Sequence, residues 1–134
     1  MSFFDQLGAL FAKYDVLGAF WVNIQLTFWA AIGSFVLGAI LALMRISPVP
    51  SLRWAGTIYV HLFRNTPLTI LMTLALLGVW TQFQLSFSTD FETNFFVYAV
   101  IVLSIYHASF VCEAIRSGVN TVHTGQAEAA RAIG

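Results

Sequence analysis

Groups able to exchange protons, attack a bond or hold a metal are scarce in this sequence. The histidines are His61, His107 and His123, the one cysteine is Cys112, and six Asp+Glu and six Lys+Arg complete the charged set. None of these shows metal-ligand spacing, and His107 and Cys112, five residues apart, fall on different helical faces. No Ser/His/Asp arrangement can be assembled. The only lysine is Lys13 and no G-x-x-x-x-G-K-[ST] occurs, so the chain has no P-loop for a nucleotide. The reading is therefore of a non-enzyme, with no catalytic, metal or cofactor residues assigned. Polar chemistry is left in three places. Glu113 and Arg116, three apart, can pair on one helix. The run Arg64-Asn65-Thr66-Pro67 offers polar backbone at a helix start, where proline is tolerated. The tail from Glu113 to Gly134 sets Glu128 and Arg131 among alanines, a small-sided helix suited either to a groove on a partner or to a solvated terminus.

The elements that must position these groups are apolar. Of 134 residues 59% are hydrophobic, 16% aromatic and 9% charged, with net charge zero. Soluble domains carry about 25% charged residues, so this chain cannot coat a soluble surface. A mean hydropathy of +0.82 indicates an integral membrane protein. The composition excludes a disordered chain, a disulfide scaffold and a nucleic-acid-binding surface. Three uncharged stretches, 20–44, 66–83 and 94–112, predict three transmembrane helices. A secretory signal peptide does not fit the first of these, because the start MSFFDQLGALFAKYD is mildly acidic and the apolar run is too long. The segment 3–11 reads as a short amphipathic interfacial piece.

Charge placement predicts the orientation. Arg45, Arg53 and Arg64 lie between the first two spans with no acid, Asp90 and Glu92 lie between the next two with no base, and Arg116 and Arg131 follow the third. Basic loops stay on the cytoplasmic side, so the N-terminus is expected outside and the C-terminus inside. In the first span Ala30, Ser34, Gly38 and Ala42 recur every four residues, and Ser104, Ala108 and Cys112 do so in the third. Such rows let helix backbones approach closely in a membrane. In the loop 45–65, Ser47, Pro48 and Pro50 stop the first helix and Ser51 can cap another. Leu52, Ala55, Tyr59, Leu62 and Phe63 then share one face, giving either a short amphipathic helix at the inner surface or the start of a longer second span. In the tail, Gly118 and Asn120 suggest that the third helix ends or bends, Thr124-Gly125 can open a new one, and Gly134 can close it.

Several of these stretches resemble one family. EAARAIG at 128–134 matches E-A-A-x-x-x-G, the opening half of the cytoplasmic signature of bacterial ABC importer permeases. FVCEAIRSGVNTVHTGQAEAARAIG is similar to the polar amino acid subfamily, in which an acid and an arginine close the span and Gly125-Gln126 precedes the E-A-A. RNTPL at 64–68 resembles that subfamily's R-G-T-P-L box, and residues 20–48 resemble its first span, with Asn23, Gln25 and Thr27 near the outer end. The wording is nearest to glutamate-uptake permeases.

The resemblance implies an all-α membrane protein with the MetI-like fold of type I ABC importers, here three transmembrane helices and a C-terminal cytoplasmic coupling helix, all within one transmembrane domain in a bacterial inner membrane. It implies a permease that forms the pathway for an amino acid, with glutamate expected. The implied partners are a cytoplasmic ABC ATPase subunit, a second permease subunit, identical or not, an extracytoplasmic amino-acid-binding protein and the lipid bilayer, with no nucleic acid. ATP hydrolysis is expected on the separate subunit. Glu128, Ala129, Ala130 and Gly134 are implied as ATPase contacts, with Arg64, Asn65, Thr66, Pro67, Glu113, Arg116, Gly125 and Gln126 as structural or pathway residues. In the family the signature continues past the position of Gly134, so the chain is expected to be the N-terminal part of a longer permease. A small three-span membrane anchor or assembly protein, or a permease fragment without activity, is the alternative.

Overall fold

The structure is a computed structural model that describes residues 2–134, and among these every regular element is helical. Helix α1 (Phe3–Lys13) opens with a reciprocal cap: the Asp5 N–H donates to Ser2 Oγ at 3.3 Å and the Ser2 N–H to Asp5 Oδ2 at 3.0 Å. Asp15 then caps α2 (Val16–Ile46), accepting from the Gly18 N–H at 2.9 Å. Helix α3 (Pro50–Arg64) and the short α4 (Leu68–Thr73) follow, and α4 continues as a wider π-helical stretch over Leu74–Gln82. Helix α5 (Phe91–Asn120) and α6 (Thr124–Ala132) complete the chain.

Helices α2 and α5 are the frame. With 31 and 30 residues they run roughly 45 Å each, ample for a hydrocarbon core of ~30 Å. The row Ala30, Ser34, Gly38 and Ala42 is buried along its whole length and faces α5. Ala108 and Cys112 of the second row are buried opposite, and Ser104 packs on Gly33. A Cβ on Gly38 would lie 2.6 Å from Val111 Cβ and 3.0 Å from the Ala108 carbonyl oxygen, so no side chain fits there. The buried hydroxyls are satisfied within their own helices: Ser34 donates to the Ala31 carbonyl and Ser109 to that of Tyr106.

Helix α3 lies across this pair. It starts with Pro50 in the first turn and Val49 at the cap position, not with a Ser51 cap, because proline's missing N–H costs nothing there. Its inward face is Gly56 and Val60, flanked by Tyr59 and Phe63; Leu52, Ala55 and Leu62, expected on that face, are exposed. The difference follows from Gly56, which lets the helix sit against Leu41, Met44 and Arg45 of α2. Val60 joins Leu41, Ala42, Ala108 and Cys112 in the apolar core, and the Tyr59 hydroxyl donates to the Ile105 carbonyl at 2.6 Å.

Between α3 and α4 the axis turns by 97° at Asn65–Pro67. Pro67 is extended, with φ −60° and ψ 138°, and occupies the cap position of α4 rather than its first turn. Thus α2 and α5 are each long and apolar enough to cross a membrane, while Leu68–Gln82 forms one arm of a broken pair whose other arm is α3. In the π-helical stretch the Phe83 N–H donates to the Gly78 carbonyl and the Thr81 hydroxyl to that of Leu76, both five residues back.

This packing predicts that Gly38→Leu destabilises the protein by about 1–3 kcal/mol through overpacking, whereas Gly8→Leu, with open space around it, is near neutral. Thermal unfolding of the two variants in detergent, followed by circular dichroism, checks the contrast.

Candidate functional site

The charged residues that end the apolar helices converge on one carboxylate. Arg45 closes α2, Arg64 closes α3, and Glu113 and Arg116 stand in the last third of α5. Arg45 Nη1 contacts Glu113 Oε1 directly. Arg116 binds both carboxylate oxygens, Nε to Oε1 at 3.2 Å and Nη2 to Oε2 at 3.1 Å. Arg64 Nη1 stands 3.8 Å from Oε2 and its guanidinium lies over the Phe110 ring at 5.4 Å. Three guanidiniums therefore share one anion, and the Arg45 and Glu113 side chains are only 13% and 23% exposed. Forked donors on a common carboxylate fix geometry as well as charge, so the ends of α2, α3 and α5 are tied together.

The Glu113–Arg116 pair is the one expected from spacing. The additional partners, Arg45 and Arg64, lie outside what helical spacing reports, although the sequence carries a signal: residues 45–65 hold three arginines and no acid, so these cations need an anion from another element.

The other expected site residues are placed as follows. Arg64-Asn65-Thr66-Pro67 forms the bend itself. The Asn65 N–H donates to the His61 carbonyl at 3.2 Å, the Thr66 hydroxyl to that of Leu62 at 2.8 Å, and the Pro67 carbonyl accepts from Ile70 and Leu71. Thr124 opens α6 as expected, with His123 at the cap position, and Gly125 and Gln126 lie in its first turn. Glu128, Ala129 and Ala130 follow in its second turn, and Gly134 ends the chain with φ +96°, a conformation suited to glycine. Every residue of this tail segment is exposed, so Glu128 and Glu113 belong to separate surfaces. His107 faces outward, edge-on to Tyr106 and Phe110.

The opposite end of α5 is built on neutral hydrogen bonds. Asn94, 1% exposed, accepts through Oδ1 from the Phe87 and Ser88 N–H groups at 2.8 and 3.3 Å. The Tyr98 hydroxyl donates to the Leu85 carbonyl at 2.6 Å, and Trp80 stacks on the Tyr98 ring. These contacts hold the segment 83–90 against the helix. Asp90 caps α5, accepting from both the N–H and the hydroxyl of Thr93, and these bonds, the hydroxyl's first, hold its carboxyl below the usual range.

Two outcomes follow. Glu113→Gln removes the one negative charge that, among the described residues, opposes the three guanidiniums and is expected to cost about 2 kcal/mol of stability, read by thermal unfolding in detergent. Because the folded Asp90 carboxyl is lowered, its cap contributes fully above the ordinary carboxyl pKa of about 3.9 and is lost as pH falls through the folded value. Intrinsic-rate-corrected amide exchange at Thr93 should rise only in that acid range, and Asp90→Ala should remove the pH dependence.

Comparison with known proteins places this arrangement. Residues 10–134 match the family model described as binding-protein-dependent transport system inner membrane component. The glutamate transport system permease proteins GluC of Corynebacterium efficiens and Corynebacterium glutamicum are 48% and 45% identical over 125 residues, covering 90% of this chain and 55% of each relative. A solved structure described as an amino acid ABC transporter with histidines superposes with a TM-score of 0.68 at 31% identity, covering 82% of this chain and 48% of that one. The chain thus spans about half the length of the relatives it matches. With two apolar helices clasped along a small-residue seam and a broken third element beside them, the chain belongs to the family of binding-protein-dependent transport system inner membrane components, and its fold is the MetI-like ABC permease fold.

Proposed function

We propose that this chain forms part of the translocation pathway of an ATP-driven importer for a polar amino acid, with glutamate the preferred solute. The glutamate permeases at 48% and 45% identity support that choice, and the solved relative with histidines supports the broader class. In this reading the stretches 20–44, 66–83 and 94–112 cross the inner membrane, with the N-terminus outside and residues 45–65 and 113–134 in the cytoplasm, as the arginine distribution favours. A second permease subunit completes the pathway, and an extracytoplasmic binding protein delivers the solute. ATP is hydrolysed on a separate cytoplasmic subunit, since this chain has no P-loop.

The observation that carries the reading is the form of α6. It is a nine-residue helix, exposed on every side, small at Ala127, Ala129 and Ala130, and attached to α5 by the short turn at residues 121–123. A helix of this shape can seat in a cleft of the ATPase through Ala129, Ala130 and Gly134, with Glu128 meeting a cationic or N–H group there. Glu113, bound to Arg45 and Arg64, makes α2, α3 and α5 answer together when α6 is pushed. Rigid-body motion of this kind couples nucleotide-driven closure to the membrane helices.

In the full-length transporter, Glu128→Lys should reduce radiolabelled glutamate uptake at least tenfold while the protein still reaches the membrane in normal amount. A cysteine at Ala129 should crosslink to the ATPase subunit. Normal uptake by Glu128→Lys with the ATPase still retained, or labelling of the Ala129 cysteine by an impermeant thiol reagent from outside the cell, defeats the proposal.

A further inference from the structure

A cavity of about 850 Å³ opens beside the glutamate hub, between α3 and the ends of α2 and α5. Arg45, Arg53 and Arg116 line it together with His61, and among the described residues no acid does. Glu113, the acid behind it, is already divided among Arg45, Arg64 and Arg116. Four guanidiniums and one carboxylate leave three positive charges unopposed at this end of the molecule. Arg53 in particular makes no ion pair with the hub, and its helix carries no acid.

The remaining wall is apolar. Trp54, Ile58 and Leu62 contribute to it, and they are 71%, 53% and 58% exposed. The position along the membrane normal is set by the long helices. Residues from Val16 to Met44 on α2 and from Thr93 to Cys112 on α5 carry no charge, and Arg45 and Glu113 are the first charges after them. The cavity therefore lies where the hydrocarbon core gives way to headgroups. A free anion would need only the cationic rim. A ligand that uses both the rim and the adjoining apolar wall, at that depth, must carry a negative group and an acyl chain.

We propose that this cavity is a binding site for an anionic phospholipid, with the headgroup phosphate held by Arg53, Arg116 and the outer edge of Arg45, and the acyl chain laid along Trp54, Ile58 and Leu62. Charge complementarity selects anionic over zwitterionic lipid. The site does not depend on which solute is carried, so its failure and that of the transport reading are separable.

The test uses the full-length permease complex in nanodiscs of phosphatidylcholine into which brominated phosphatidylglycerol or brominated phosphatidylcholine is titrated. The fluorescence read is that of Trp54, isolated by replacing the other tryptophans with phenylalanine. The expected result is preferential quenching by phosphatidylglycerol. Arg53→Gln, which leaves the hub intact, should reduce that preference about fivefold, the worth of one basic residue near a lipid surface. Thr57→Glu, which puts a carboxylate into the cavity, should abolish it, while thermal unfolding of both variants in phosphatidylcholine alone stays at the parental value. Inorganic phosphate added to saturation should leave the quenching unchanged. Equal quenching by the two lipids, a preference unaltered in both variants, displacement by inorganic phosphate, or a Trp54 that no lipid quenches because protein covers it would each overturn the proposal.

Discussion

Everything in this structure depends on how closely α2 and α5 approach. Two helices surrounded by lipid gain little from the hydrophobic effect when they meet, because the chains they displace are as apolar as they are. Contact must come from packing, and packing needs the backbones near one another. The absence of side chains at Gly33 and Gly38, opposite Ser104, Val111 and Ala108, provides that proximity. Once the two backbones are in register, the rest can be placed. The crossing helix finds its seat against Leu41 and Arg45 at Gly56, Tyr59 reaches the Ile105 carbonyl, and Arg45 comes within range of Glu113.

The two ends of this pair are finished with different chemistry. One end is closed by arginines around a single carboxylate. The other is closed by Asn94, Tyr98 and Trp80, with acids at the caps of α2 and α5 and in the first turn of α5. Ion pairing at one end gives a firm joint among three helices, which suits transmission of force. Neutral bonds to a nonhelical segment at the other end fix a surface without concentrating charge there.

Much of this was legible in the residues. The period-four small rows, the long uncharged stretches and the break signalled by Gly118 and Asn120 are consequences of helical geometry, which sequence spacing reports directly. The Glu113–Arg116 pair was legible for the same reason. What spacing does not report is contact between elements. Arg45 and Arg64 lie 68 and 49 positions from Glu113, and only the folded arrangement brings them to it. The inward face of α3 departs from the apolar pattern because glycine counts for nothing on a hydrophobicity scale, yet Gly56 is where that helix packs closely on Leu41, Met44 and Arg45 of α2. The wide winding of Leu74–Gln82 leaves no mark in the hydrophobic pattern, since the stretch is mostly apolar and its one poor helix former, Gly78, is compatible with an ordinary helix. Spacing gives no sign of the role of Asn94, whose value lies in the two backbone groups it satisfies.

That widened segment has a mechanical meaning. A helix closed by bonds to the fifth residue back holds a surplus residue in each turn relative to one closed on the fourth. Tightening any turn of Leu74–Gln82 therefore lengthens the arm along its axis and swivels whatever lies beyond it. The bend at Asn65–Pro67 anchors one end of the arm, and Trp80 against Tyr98 holds the other. Between these clamps lies a stretch of chain with slack wound into it, so the arm can adjust its reach without breaking either grip.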